Sequence, residues 1–304
     1  MRTNIAQPAL SALSPSLFDK ASPLFLPGLF IVLWSSGYVA GKVGLPYAGP
    51  FTLIFLRFSF AAAILLAVAL LTRAPWPSTA RQWFHIAVVG ALIQALQFAG
   101  LYTGLSKGVS AGVSAVIVGM MPICTAVGAV AFLGERINPR QVFGLMLGLA
   151  GVALVVANKF HLDAGSMEGY AAVLLALLGI TAGTLYQKKF CTSMDLRTGG
   201  CIQLSIATLI VGVIGYSNEG LAAHWTPMLI GSTLWLSLIN SIGAISVMFL
   251  MLRRGEASRV ASLFYLIPAV TAAMGYFVLG ETLTPLQVLG FAVSASGVYL
   301  TTRK

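Results

Sequence analysis

The stretch PICTAVGAVAFLGERINPRQVFGLMLGLAGV, residues 122–152, returns 146 positions later as PAVTAAMGYFVLGETLTPLQVLGFAVSASGV, residues 268–298, with 12 of 31 positions identical. Each copy is an apolar run, a polar turn holding Leu-Gly-Glu, and a second apolar run. Asn138 and Thr284 stand where a helix N-cap belongs. Pro139 and Pro285 follow at the first helical position, and Gln141 and Gln287 are placed to reach back to the cap. Both turns therefore predict a helix ending and another beginning.

The same register runs outward to the ends of the chain. Leu33-Trp34-Ser35-Ser36-Gly37 falls on Gly179-Ile180-Thr181-Ala182-Gly183, Lys42 on Lys188, Gln94 on Asn240, and Ala111 and Ala115 on Ala257 and Ala261. Of the 304 residues, 58% are hydrophobic and 9% charged, where a soluble domain carries about 25% charge. So little charge does not cover a water-facing surface, and apolar runs of about 18 or more residues span a hydrocarbon core as helix. The hydropathy predicts an all-α integral membrane fold of ten spans, at 23–41, 50–72, 83–106, 109–133, 140–157, 169–187, 199–216, 229–252, 257–279 and 285–302. Residues 1–22 form a polar tail without the pattern of a cleaved signal peptide. Residues 23–158 and 169–304 form the two repeats. Five spans per repeat turn the second copy over, so the repeats are expected to be inverted about an axis in the membrane plane.

The formal charge of +10 arises from 18 Lys and Arg against 8 Asp and Glu. The basic residues are not clustered as a nucleic-acid face requires. Outside the spans they divide fourteen to three between the two sides, which places both termini in the cytoplasm. Cys124, Cys191 and Cys201 show no CxxC spacing, and neither disulfide, metal nor cofactor is expected. No Walker A loop and no HExxH or Ser/His/Asp arrangement is present in the sequence. His85, His161 and His224 lie near span boundaries.

These motifs resemble the drug/metabolite transporter superfamily, in its ten-helix branch with two EamA-type domains. The matching residues are Trp34-Ser-Ser-Gly37, Pro50 with Leu56-Arg57, Pro122, Gly134-Glu135, Pro139, Gln141 and Gly144, then Gln203, Pro268, Gly280-Glu281, Pro285, Gln287 and Gly290. The likeness covers nearly the whole chain. It implies export of amino acids or related metabolites across a bacterial inner membrane, with a small-molecule substrate and the lipid bilayer as partners.

Within that frame Arg57 is the first candidate, because a cation in hydrocarbon costs about 2.5–3.5 kcal/mol on insertion scales and faces the bundle interior. It either attracts an anionic substrate or satisfies carbonyls freed near a helix break. Trp34, Tyr38 and Lys42 recur every four residues on one face, as pathway lining or as interface anchors. Gln94 and Gln97 lie near the expected midplane, with Asn240 and Trp235 in the corresponding part of the second half. Tyr102, Tyr186 and Tyr265, with Met120, Met121 and Met248, are weaker lining candidates. Pro122 and Pro268 break helices at matching depth and are candidate gates.

The eight acids fall in loops or at span ends, which argues against a buried carboxylate exchanging a cation for protons. Gly144, Gly148 and Gly151 form a small-residue stripe matched by Gly290, Ser294 and Gly297, suited to close helix packing or to a homodimer through helices five and ten. The leading expectation is a secondary exporter of amino acids or similar zwitterionic or anionic metabolites. Efflux of cationic or amphipathic compounds, an intramembrane enzyme acting on lipid-linked substrates, and a non-transporting interaction protein are the alternatives.

Overall fold

A computed structural model describes residues 25–133, 139–157, 166–191, 194–253, 263–264 and 266–302. Among them the chain is helical, with one isolated antiparallel bridge between Ala48 and Ala223. The helices are α1 (Phe25–Gly44), α2 (Pro50–Leu71), α3 (Ala80–Ser106), α4 (Ala111–Gly119), α5 (Met121–Leu133) and α6 (Pro139–Ala157). After them come α7 (Met167–Phe190), α8 (Leu196–Glu219), α9 (Pro227–Met248, running on to Arg253), α10 (Ile267–Leu279) and α11 (Pro285–Thr302). Seven helical stretches are long and apolar enough to cross a membrane: α1, α2, α3, α4 with α5, α7, α8 and α9. The helix α10 is a shorter apolar one.

Helix limits differ from the hydropathy reading where polar side chains, not apolar runs, decide the ends. Thr79 and Gln82 form a capping box that starts α3 early. Ser166 and Asp195 cap α7 and α8 outside the apolar stretches. Gly220, at φ +63°, ends α8 in the left-handed conformation that favours glycine. The predicted box at Thr284 and Gln287 is present, with Gln287 N donating to Thr284 Oγ1 at 3.3 Å and Thr284 N to Gln287 Oε1 at 3.1 Å. Its counterpart at Asn138 lies outside the described residues.

The bundle is held by close helix pairs: α2 against α8, the latter part of α3 against α7, α1 against α9 and α10, and α4 against α10. The most extensive pair is α6 with α11, and the predicted glycine stripes explain it. A Cβ on Gly151 would sit 2.3 Å from Ser294 N, and one on Gly297 2.3 Å from Gly148 N. The stripes thus face each other within one chain, where backbone-to-backbone approach supplies van der Waals contact that lipid does not displace.

Gly297→Leu is therefore expected to abolish most folded protein in membranes. Gly231→Leu, whose Cβ meets nothing within 4 Å, is expected to leave yield unchanged. Quantifying monodisperse protein after detergent extraction checks both.

Candidate functional site

The centre of the bundle is organised by Arg57 on α2, which is only 3% exposed. Its Nε donates to Ser241 Oγ at 3.0 Å, Nη1 to Tyr102 OH at 2.8 Å, and Nη2 to Asn240 Oδ1 at 2.6 Å. The guanidinium lies 4.4 Å from the Phe98 ring centroid and 5.3 Å from that of Phe58, so ring faces add cation–π attraction. Every hydrogen-bond acceptor here is neutral. Among the described residues no carboxylate pairs with Arg57, and its charge is solvated by dipoles and π-faces alone.

Local backbone geometry makes this cage possible. Asn240 and Ser241 are consecutive, and on an ordinary helix consecutive side chains diverge by about 100°. They lie in a π-helical segment of α9, Trp235–Ala244, a local departure of a kind frequent at functional sites, and both reach one guanidinium. The corresponding part of α3, Gly90–Leu96, is also π-helical and contains Gln94. On the opposite wall α1 is notched: a Cβ on Gly37 would lie 2.5 Å from Asn240 Nδ2, and one on Gly41 2.6 Å from Tyr102 Cε1. Glycine is a poor helix former, and here it lets two Arg57 partners press on the α1 backbone. Asn240 Nδ2 then donates to Leu33 O at 3.1 Å and Trp34 O at 3.3 Å.

Of the residues singled out from sequence, Arg57, Tyr102 and Asn240 are brought into direct contact. Tyr38 is buried beside them on α1. Trp34 packs instead in an aromatic cluster, 5.5 Å from Phe30 and 5.4 Å from Phe264 between ring centroids. Trp235 Nε1 donates to Ser36 Oγ at 2.8 Å with much of its ring exposed, so it braces α1 and does not touch Arg57. Gln97 is buried and Gln94 half-buried, and neither side chain hydrogen-bonds among the described residues. Tyr186 accepts or donates with His85 Nδ1 at 2.8 Å. Tyr265 lies outside the described residues.

Pro122 and Pro268 are the second residues of α5 and α10, so each starts a new helix after a turn, at Met120 and Leu266 respectively. The two breaks are neighbours: a Cβ on Gly119 would be 3.4 Å from Pro268 Cγ. Met120 is fully buried at the first break.

Sequence reasoning missed Ser241 and Phe98, which carry no distinguishing pattern, and underrated two acids. Glu219 accepts from Phe51 N at 3.0 Å, and from Thr52 N and Oγ1 at 2.8 and 2.7 Å, capping α2 from the end of α8. Glu281 folds inward onto Lys42 and the start of α4.

An all-helical bundle with seven apolar helices of membrane-crossing length and a caged arginine at its centre is a multi-pass membrane protein. The EamA-like transporter family model matches residues 24–157 and again residues 167–303, and the chain belongs to that family. It is similar to the uncharacterized transporter YvbV of Bacillus subtilis (strain 168), at 29% identity over 94% of this chain and 93% of that protein. It is likewise similar to a probable amino-acid metabolite efflux pump of Salmonella typhimurium, at 28% identity over 91% and 93%. One crystal structure superimposes with a TM-score of 0.62 at 18% identity, covering 91% of this chain and 96% of the other, which supports the fold.

Two stability outcomes follow from the geometry. Asn240→Ala removes an Arg57 acceptor and the Nδ2 bonds to two α1 carbonyls, and is expected to destabilise by about 1–3 kcal/mol. Trp235→Phe, which loses one bond, is expected to cost about 1 kcal/mol; denaturant unfolding in micelles separates the two.

A third outcome concerns the α8 cap. Asp195 accepts from Arg197 N at 2.9 Å and from Arg197 Nη2 at 2.8 Å. Hydrogen bonds from the Arg197 side chain, ahead of the backbone amides, hold its carboxyl below the usual carboxylate range. A depressed folded-state value means that its stabilisation is complete above the ordinary Asp value of about 3.9 and fades as pH falls through the folded value. The stability gap between wild type and Asp195→Ala is expected to be about 1 kcal/mol at neutral pH and to shrink below about pH 4.

Proposed function

We propose that the protein is a ten-span secondary transporter of two inverted repeats, residues 23–158 and 169–304, behind a cytoplasmic tail of residues 1–22. In this reading it sits in a bacterial cytoplasmic membrane with both termini inside, and exports amino acids or related small polar metabolites by alternating access. The paired π-helical segments at Gly90–Leu96 and Trp235–Ala244, and the paired proline starts at Pro122 and Pro268, support the repeat. The excess of basic residues on one side supports the orientation. The printed role of the Salmonella relative, amino-acid metabolite efflux, supports the cargo class.

One observation carries the substrate reading: the Arg57 charge is buried among neutral partners. Three of the five N–H groups of a guanidinium are engaged, which leaves donors for a carboxylate. An ion pair with a carboxylate in a low-dielectric centre is stronger than the present bonds from the guanidinium to neutral acceptors. A cationic cargo meets the opposite sign, so efflux of quaternary amines is the weaker reading. Tyr38, Tyr102 and Asn240 would line the same space, with Gln94, Gln97, Trp34, Trp235 and Tyr265 as further candidates. A homodimer through α6 and α11 would have to use faces other than the glycine stripes.

Labelled-substrate uptake into everted vesicles tests this. Arg57→Gln is expected to lower transport of carboxylate-bearing substrates about 10- to 100-fold, the equivalent of a lost charged hydrogen bond of about 1.5–3 kcal/mol. Folded protein in the membrane should fall much less. Gln94→Ala is expected to lower transport more than it lowers folded protein, and Pro122→Ala and Pro268→Ala to slow turnover at normal expression. Losses proportional to folded protein would make these residues structural.

A further inference from the structure

Away from Arg57, one carboxylate ties three helices together at a single end of the bundle. Gly280, at φ +66°, ends α10 in the left-handed conformation, and Glu281 N returns to Gly275 O at 3.1 Å. That reversal turns the Glu281 side chain back across the bundle, against Gly275, where a Cβ would lie 2.5 Å from Oε2. Its Oε1 accepts from Lys42 Nζ of α1 at 2.5 Å. Both carboxylate oxygens accept from Ala111 N, the first residue of α4, at 3.0 and 3.2 Å. The pair is largely withdrawn from solvent, with the Glu281 side chain 10% and the Lys42 side chain 25% exposed. The Lys107–Glu168 pair is unlike it, since both of its side chains are well exposed; such pairs contribute little.

The helices so joined are the ones with breaks. Helix α4 runs from this contact to the turn at Met120, and α10 runs to it from the turn at Leu266 ahead of Pro268. Gly119 and Pro268 meet at the broken ends, so α4 and α10 form two struts, adjacent at their breaks and pinned at their far ends by Glu281. The third member, α1, reaches from this pin to the arginine cage: Gly37 and Gly41 touch Asn240 and Tyr102, and Lys42 is the next residue. A shift of either Arg57 partner is felt within about one and a half turns of Lys42.

We infer that the Glu281 carboxylate, bridging Lys42 of α1 and the N-terminus of α4, is the latch that keeps the mouth at this end closed, and that cargo at Arg57 acts on it through α1. This rests on the alternating-access reading above. Opening requires Lys42 and the Ala111 amide to part from the carboxylate, which releases α4 and α10 to separate about their breaks. The Leu-Gly-Glu motif thereby acquires a physical sense: a left-handed glycine that ends a helix, then an acid aimed at another helix. By sequence the first half holds the same residue types, with Lys188 and Glu135 in the corresponding places.

The test uses the full chain in sealed vesicles, with Cys124, Cys191 and Cys201 replaced and Tyr38→Cys as reporter. A membrane-impermeant maleimide applied from the Lys42 side is expected to label the reporter about tenfold faster in Glu281→Gln and in Lys42→Met than in the parent, as a shifted open population requires. Lys42→Met leaves the α4 amide capped and keeps the test decisive if Glu281→Gln folds poorly. Labelling rates unchanged in both variants, at normal folded yield, would overturn the latch. In a second arm, Lys42→Cys with Glu281→Cys is joined by a short reducible thiol cross-linker; transport is expected to stop and to return on reduction, and undiminished transport when linked would overturn the proposal. The labelling arm needs no substrate, so a parent that carries no cargo would defeat the functional reading while the latch is still judged.

Discussion

The arrangement of the bundle centre depends on a guanidinium kept in a nonpolar interior with no counter-ion among the described residues. A buried charge of this kind is tolerated only where dipoles, aromatic faces or another charge replace water. Here the replacement comes from three helices. Tyr102 of α3, and Asn240 and Ser241 of α9, supply oxygens to Arg57 of α2, and α1 closes behind them through Asn240. The π-helical turn of α9 and the glycine notch of α1 are local departures from good helix geometry that make sense only as support for this cage. Helical propensity is given up at these positions, and close approach of polar groups is gained.

In the proposed reading that cage is a binding centre and not a sealed core. A structural arginine needs nothing further once its donors are met. Arg57 has two N–H groups without a partner among the described residues, and its described partners are all neutral, so in the proposed reading an anion gains more from it than the residues now present. The polar partners are also the groups that contact α1, which links occupancy of the centre to the position of a helix that extends to the Lys42–Glu281 pair. In this account binding and gating share side chains and backbone.

Much of the architecture was legible in the chain because lipid imposes simple rules. Apolar runs of membrane length, Pro at helix starts and a 146-residue repeat located most helices to within a few residues. Ends set by polar caps such as Ser166 and Asp195 were less visible, since a cap is a single side chain beside a run that hydropathy averages over. Arg57 and Asn240 stood out because polar groups in hydrocarbon are conspicuous, whereas Tyr102 was only a weaker candidate, an aromatic that reads as packing. Ser241 and Phe98 did not, because serine and phenylalanine are ordinary in such helices and only the packing of α3 and α9 against α2 brings them to the guanidinium. Gly37 read only as the end of the Trp34–Gly37 motif, and Gly41 carried no signal; their neighbours give both a purpose. Trp34 stood out through its stripe with Tyr38 and Lys42, and Trp235 beside Asn240; in the structure Trp34 packs against Phe30 and Phe264, and Trp235 donates to Ser36. Glu281 sits at a span end, where a local role is the usual one; the left-handed Gly280 that reverses it is a three-dimensional fact.

The central claim is that the uncompensated charge of Arg57 is there for an anionic group of the cargo. The most direct measurement is thermal stabilisation of purified wild type and Arg57→Gln by amino acids, nucleobases and quaternary amines, run side by side. The account expects one or more carboxylate-bearing compounds to raise the wild-type Tm and to leave that of Arg57→Gln unmoved. Stabilisation by quaternary amines to the same extent in both proteins, with none by carboxylates, would contradict it.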